Sequence, residues 1–269
     1  GIISPDKVVA ALTKHTVLVS IGWANNEIGT IQPLSDISRA IAAYDKEHGT
    51  TILLHTDAGQ APLYLSTGLN SLGVDVCAIG GNKLYGPHGV GCLFVSNRVD
   101  VSRTVQGGPQ ERGLRPGTEN VALAIGMATA FEIIAARRDV EAKRVRTVRD
   151  ALAQELVLNV PDAVINGDQK RALPHILNIS IPNISSEYVT LSLDHAGIAI
   201  STKSACREGE ERRSHVVEAL GDAKSAASSV ALAKEERSEN TLRFSMGTDT
   251  RESDIKTVVA ALKDVISRT

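Results

Sequence analysis

Gly80-Gly81-Asn82-Lys83-Leu84-Tyr85-Gly86-Pro87-His88-Gly89 lies between two apolar runs, Val74 to Ile79 and Val90 to Val95. Upstream, Asp57 follows the apolar run Thr51 to Leu54, in His55-Thr56-Asp57-Ala58-Gly59-Gln60. Taken singly, both residues have ordinary explanations. A lysine in a glycine-rich loop is usually a solvated turn residue, and an aspartate after a strand is usually a turn former or helix cap. Together, at strand ends in a chain that alternates strands and helices, they mark the edge where open α/β sheets gather ligands.

That pair of groups fits one chemistry in particular. A lysine amine can form a Schiff base with pyridoxal phosphate, and a carboxylate can hold the pyridinium nitrogen of the same cofactor.

Composition excludes several other functions. The chain has 269 residues, enough for two domains or one large one, and 42% of them are hydrophobic. The net charge of −2 and an aromatic content of 3% argue against nucleic acid as a partner, and the charge argues against an anionic membrane. No apolar run approaches a membrane span, and the first residues show no secretory signal. Three cysteines (Cys77, Cys92 and Cys206) are an odd number without CxxC spacing. This speaks against a disulfide framework or a zinc site and for a reducing compartment, the cytoplasm. Cys77 and Cys92 lie in apolar runs and are expected as small buried hydrophobes.

The first half alternates. Strands are expected at Val17–Ile21, Thr51–Leu54, Val74–Ile79 and Gly91–Val95, with an amphipathic helix over 34–48 that Gly49 ends. Continuous apolar strands separated by helices imply a parallel sheet covered on both faces. A long helix from Val121 to Leu156 is expected to break or bend near Arg137-Arg138-Asp139. A domain boundary is placed there, giving domains 1–136 and 137–269. The second half predicts a smaller α+β domain with strands Ile176–Ile181, Gly197–Thr202 and Thr241–Met246. Its helices are Ser186–Asp194, Ser214–Leu220 and a final one that Asp249 and Glu252 would cap. Asp222–Asn240 is expected as a mobile loop with a short helix.

Four further segments suit a ligand site. Ala24-Asn25-Asn26-Glu27-Ile28-Gly29-Thr30 follows the first strand, and its adjacent amides are either turn formers or ligand contacts. Gln106 to Asn120 is a glycine-rich loop opening the long helix, where Thr118 either caps the helix or meets a phosphate. Ser201-Thr202-Lys203-Ser204-Ala205-Cys206-Arg207 leaves a strand for polar sequence, so Cys206 is expected to be accessible, as a plain surface thiol or a reactive one. Arg243, inside Leu242-Arg243-Phe244-Ser245, needs an anion. A substrate carboxylate and a structural salt bridge both qualify.

With these segments in order, the chain resembles the cysteine desulfurases of the NifS/IscS type, in the class V aminotransferase group of fold-type I pyridoxal phosphate enzymes. The matching stretches are ANNEIGTIQP (24–33), HTDAGQAP (55–62), GGNKLYGPHGVG (80–91), GGPQERGLRPGTEN (107–120), STKSAC (201–206) and TLRFSMG (241–247). The resemblance implies an incomplete three-layer α/β/α large domain and a smaller α+β domain. It implies removal of sulfur from L-cysteine, giving L-alanine and an enzyme persulfide for iron–sulfur cluster or thio-cofactor synthesis. Residue by residue it implies Lys83 as the Schiff-base amine, Asp57 at the pyridine nitrogen, and Gln60 and Asn26 near the ring's phenolic oxygen. Asn26 also lies toward the substrate, Arg243 binds the substrate carboxylate, and Cys206 takes the sulfur. Thr118 reaches the cofactor phosphate of a partner subunit, implying a homodimer. A sulfur-acceptor or scaffold protein is a further expected partner.

Two departures accompany the resemblance. The family usually has Ser/Thr-x-His-Lys where this chain has Gly80 and Asn82, so phosphate binding is expected to rest on Asn82, backbone amides and Thr118. The family's upstream ring-stacking histidine and phosphate loop are not in these residues, so the sequence is expected to continue a longer one and, alone, to bind cofactor weakly or not at all and to be inactive. Alternatives are a selenocysteine lyase, another class V enzyme, or a non-catalytic fragment or dimerisation scaffold.

Overall fold

A computed structural model of the protein describes residues 1–160, 162–202, 213–221, 223–224, 231–232 and 234–268. The chain forms two compact units. One comprises Ile3–Trp23 and Gln32–Arg138, the other Gly1–Ile2, Ala24–Ile31 and Asp139–Thr269.

The first unit opens with α1 (Pro5–Ala11), where Pro5 supplies a preset φ at the helix start. Four strands follow, β1 (Leu18–Ser20), β2 (Leu53–Asp57), β3 (Val76–Gly80) and β4 (Gly91–Val95), forming one sheet in the order β1-β2-β3-β4. The pairs β1·β2 and β2·β3 are parallel, with Leu18 opposite Leu53 and Asp57 opposite Ala78. The all-parallel expectation fails at β4, which runs antiparallel to β3 with Ile79 opposite Cys92. The lysine loop between them is too short for the crossover a parallel return requires.

Helix α2 (Leu34–His48) buries Leu34, Ile37 and Ile41 and ends at Gly49 in the left-handed conformation, φ 66°. Helix α3 (Leu69–Leu72) is a single turn. Ile52, Leu54, Cys77 and Leu84 complete the core around the sheet. Cys92 is exposed, against expectation, on β4, an outer strand of the sheet order among the described residues. Leu18 and Leu93, on the two outer strands, are also exposed.

Helix α4 (Val121–Asn159) is continuous through Arg137, Arg138 and Asp139, where a break was expected. Arginine is a good helix former, and no proline interrupts the stretch. The two units nevertheless divide within it, after Arg138.

In the second unit β5 (Val164–Ile165), β6 (Ile176–Ser180) and β9 (Thr241–Ser245) form an antiparallel sheet in the order β5-β6-β9, with Asn178 opposite Arg243. Every residue of β6 is buried. Helices α5 (Ser186–His195) and α8 (Glu252–Ile266) pack against each other, burying Val189, Leu193, Val259 and Leu262. The expected Gly197–Thr202 strand reduces to one bridge, Ser201 to Arg243. Between α6 (His215–Glu218) and α7 (Lys234–Glu239), the strands β7 (Ala223–Lys224) and β8 (Ala231–Leu232) pair antiparallel. At the start of α8 it is Asp254, not Glu252, whose side chain accepts from the N-cap backbone, Arg251 N, at 2.9 Å. Residues 24–31, in the expected first domain, belong to this second unit. Leu173 N donates to Gly29 O and Ile31 N to Arg171 O, both at 2.8 Å. Among the described residues no helix is long and apolar enough to cross a membrane.

Candidate active site

Lys83 sits in a single 3-10 turn, Gly81–Leu84, directly after β3. Leu84 is fully buried and Gly81 is buried beside it, so the turn is pinned from within while Asn82 and Lys83 face outward, exposed. Gly81 N donates to Val90 O at 2.9 Å and Gly86 N to Gly81 O at 3.0 Å, closing the loop at its base. A Cβ on Gly81 would lie 3.0 Å from Val90 O and one on Gly86 2.9 Å from Gly81 O, so the close approach needs both glycines.

Asp57 is the last residue of β2, the parallel neighbour of β3, so its carboxylate and the Lys83 turn lie at the carboxyl ends of adjacent strands. Its backbone is fixed by Trp23 N donating to Asp57 O, and the next residue by Ala58 N donating to Ala78 O, both at 2.9 Å. The side chain is exposed, with Oδ1 accepting from Gly59 N at 2.9 Å. That bond is the Asx turn expected of a strand-end aspartate, and it occupies only one of the two oxygens. Gln60 follows, half-buried, at the head of a short turn, Ala61–Leu63.

A primary amine, a carboxylate with an open oxygen and two amides (Asn82 and Gln60) at this sheet edge are the donor set that a pyridoxal phosphate ring and its aldehyde require. The residues fit the group. Thr118 is exposed in the loop before α4, and the helix cap is Asn120 instead, whose Oδ1 accepts from Leu123 N at 3.1 Å.

In the second unit Arg243 Nη1 donates to Asn26 O at 3.1 Å, which joins the two residues expected at the substrate. Asn26 itself is exposed, at a turn made rigid by its neighbour. Asn25 Oδ1 accepts from Glu27 N at 2.9 Å and from Ile28 N at 3.0 Å. His175, just ahead of β6, is buried, and burial together with the Arg243 and Arg149 guanidiniums pushes its imidazole down to about 3. Cys206 lies outside the described residues.

Sequence reasoning missed Glu27 and its partner Ser214. Glu27 stands inside ANNEIGTIQP, and it is buried, 1% exposed. Its Oε2 accepts from Ser214 Oγ at 2.5 Å. A charged residue flanked by turn-forming amides and by Ile28 and Gly29 was the available signal.

A mixed α/β sheet with an amine and a carboxylate at its strand ends defines a class of protein, and comparison with known proteins gives it a family. Residues 1–258 match the aminotransferase class-V family, and the chain belongs to it. The family's members are pyridoxal phosphate enzymes of fold type I. Cysteine desulfurase IscS of Dictyoglomus turgidum is 35% identical over 268 residues, covering 100% of this chain. The chain spans 64% of that protein's length. A solved NifS-like protein superposes with a TM-score of 0.83 at 29% identity, over 100% of this chain and 66% of its own. The structure of SspA in complex with cysteine superposes with a TM-score of 0.67 at 28% identity, over 91% of this chain and 63% of its own.

Proposed function

We propose that the protein is a pyridoxal phosphate-dependent cysteine desulfurase. It acts as a homodimer in the cytoplasm and feeds sulfur to an acceptor or scaffold protein for iron–sulfur cluster or thio-cofactor synthesis. The observation that carries this reading is the pairing of Lys83 with Asp57 at adjacent strand ends, in a chain similar along its whole length to cysteine desulfurases. SspA, with cysteine bound, supports cysteine as the substrate.

Bound at the Lys83 edge, pyridoxal phosphate supplies an electron sink for the bonds at the substrate Cα. The protein's residues do the rest. Lys83 holds the cofactor by its amine and, when free, takes the proton from the substrate Cα. Asp57 keeps a proton on the ring nitrogen through its open oxygen. Gln60 and Asn26 hydrogen-bond near the phenolic oxygen. Asn82 and, from the partner subunit of the dimer, Thr118 contribute to holding the phosphate. Arg243 fixes the substrate carboxylate with its guanidinium fork. Cys206, as thiolate, attacks the substrate sulfur. The new S–S bond forms as the substrate C–S bond breaks, and the carbon keeps the electron pair and gains a proton. Protein thiol plus cysteine thus become protein persulfide plus alanine, without an external oxidant. The free thiols Cys77 and Cys92 suit a reducing compartment, in which Cys206 is regenerated for each cycle.

Two variants test the reading. Lys83→Ala should remove the visible absorbance that develops on titration with pyridoxal phosphate. Cys206→Ala should keep that absorbance but release no alanine from cysteine. Alanine release at an unchanged rate by Cys206→Ala would rule out the sulfur-acceptor role. Retention of the absorbance by Lys83→Ala would rule out the cofactor anchor.

A further inference from the structure

Glu27 has no task in the mechanism above, yet it is 1% exposed and meets Ser214 Oγ at 2.5 Å across 187 residues of sequence. Burying a side-chain oxygen costs free energy unless a donor meets it, and here the Ser214 hydroxyl is that donor. Ser214 is itself held from several sides. Its N donates to Ser238 O at 2.9 Å, its Oγ accepts from Val217 N at 3.1 Å, and next to it Arg213 Nε donates to Glu239 Oε1 at 2.7 Å.

The preceding residue makes a second link. Asn26 O accepts from Arg243 Nη1 at 3.1 Å, and Arg243 exchanges both backbone hydrogen bonds with Ser201, at 3.2 and 2.6 Å. Ser201 and Ser214 are the two roots of the stretch of chain that contains Cys206. One turn therefore grips both roots, the first through Asn26 and Arg243, the second through Glu27. The turn can bear this, because Asn25 N donates to Thr30 O at 2.9 Å, Gly29 N to Asn25 O at 3.0 Å, and Gly29 adopts φ 75° with Ile176 Cβ 3.2 Å from where its own Cβ would lie.

We infer that Glu27 is a positioning residue for sulfur transfer: through Ser214 it fixes the return root of the Cys206 segment, in register with the arginine that receives the substrate. The inference rests on Cys206 being the sulfur acceptor. It also implies a division between neighbours, with Asn26 serving the binding of substrate and Glu27 only the delivery of the thiol.

The test compares Glu27→Ala with the conservative Glu27→Gln, whose amide oxygen still accepts from Ser214. Cys206 alkylation by iodoacetamide is followed peptide by peptide in the resting protein, with exposed Cys92 as internal control. Glu27→Ala should change the Cys206 alkylation rate at least threefold and leave Cys92 alone. In single turnovers with cysteine it should slow persulfide formation at least tenfold, while the cofactor titration and the KM for cysteine stay within twofold. Glu27→Gln should stay within twofold of the native protein throughout. If Glu27→Ala does not fold, Ser214→Gly removes the same hydroxyl at a position where glycine is a tolerated helix cap, and should give the same pattern. Unchanged alkylation and persulfide rates overturn the inference, as does a loss of cofactor or substrate binding as large as the loss of transfer. If Cys206→Ala still releases alanine, the desulfurase reading fails, and the alkylation comparison alone then decides whether Glu27 sets the segment.

Discussion

Replacing His175 with asparagine should flatten the acid side of the stability curve. The imidazole is 4% exposed, and its backbone oxygen accepts from Met246 N at 2.9 Å. Burial, then Arg243 and Arg149, push it down to about 3. An unfolded histidine titrates near 6.5, so the unfolded chain binds a proton that the folded one refuses. The folded value is the depressed one. The stability it confers is therefore complete above pH 6.5 and is lost as pH falls from there toward about 3. Between pH 7.5 and 5.0 the unfolded state gains roughly 1.5 pH units of protonation, or about 2 kcal/mol at 1.36 kcal/mol per unit. This figure depends only weakly on the folded value, provided that value stays well below 5. Asparagine keeps a small polar group at the site and does not titrate. Urea unfolding of both proteins at the two pH values, with matching m-values, isolates the difference because the other groups cancel. The native protein should lose about 2 kcal/mol more than His175→Asn across this interval. A difference below about 0.5 kcal/mol, the usual limit of additivity, would refute the neutral, dry imidazole.

Two glycines with similar backbones should respond differently to alanine. Gly49 has φ 66° with nothing within 4 Å of a built Cβ, so Gly49→Ala should cost only the left-handed penalty, about 1 kcal/mol by thermal unfolding. Gly73 has φ 67°, and a Cβ there would run onto Ser38 Oγ, so Gly73→Ala should cost clearly more. For Asp75, burial pulls the carboxyl up, but hydrogen bonds from Arg98 and Leu54 N, the Arg98 charge and a bond from Ser96 outweigh it and hold it below its usual value. Its stabilisation is present above the unfolded carboxyl value, near 4, and is lost as pH falls through the lower folded value. Because the Arg98 side chain is 51% exposed, Asp75→Asn should cost about 1.5 kcal/mol at pH 7, toward the low end for a charged hydrogen bond. Denaturant titrations at pH 7 and pH 3 should converge for variant and native protein at the acid end.

Local chemistry was legible in the sequence, and partnership across the chain was not. Helix α2 could be read to the residue because Leu34, Ile37 and Ile41 repeat at helical spacing and Gly49 supplies the left-handed stop. The lysine turn and Asp57 could be placed at strand ends because glycine punctuation and apolar runs are local signals. The direction of β4 was also recoverable, since the loop before it holds no crossover helix, but the alternation of strands and helices elsewhere masked it. A break was expected near Arg137-Arg138-Asp139, yet α4 runs through it, as arginine favours a helix. The capture of residues 24–31 by the second unit, and the Glu27–Ser214 bond, depend on contacts between segments up to 187 residues apart. No periodicity or spacing reports such contacts.

Asp57 and Asp75 show how the two ends of one sheet use the same side chain for opposite purposes. Both flank the central strands, and in sequence both are aspartates beside apolar runs. Asp75 enters β3 at its amino end, 4% exposed, with its oxygens taken up by Leu54 N at 2.8 Å, Ser96 Oγ at 3.3 Å and the Arg98 guanidinium. Arg98 Nη2 also reaches Ile52 O at 3.0 Å, so this acid ties the start of β2 to the chain that leaves β4. Asp57 leaves β2 at the carboxyl end, exposed, with one oxygen on Gly59 N. A carboxylate whose hydrogen bonds are filled by the protein has little left for a ligand, while one that is half filled can still bind one. In a parallel sheet the carboxyl ends collect the loops that carry chemistry. The open acid therefore lies at the sheet edge that also carries the Lys83 turn, and the filled one at the far end, where it ties the strands together.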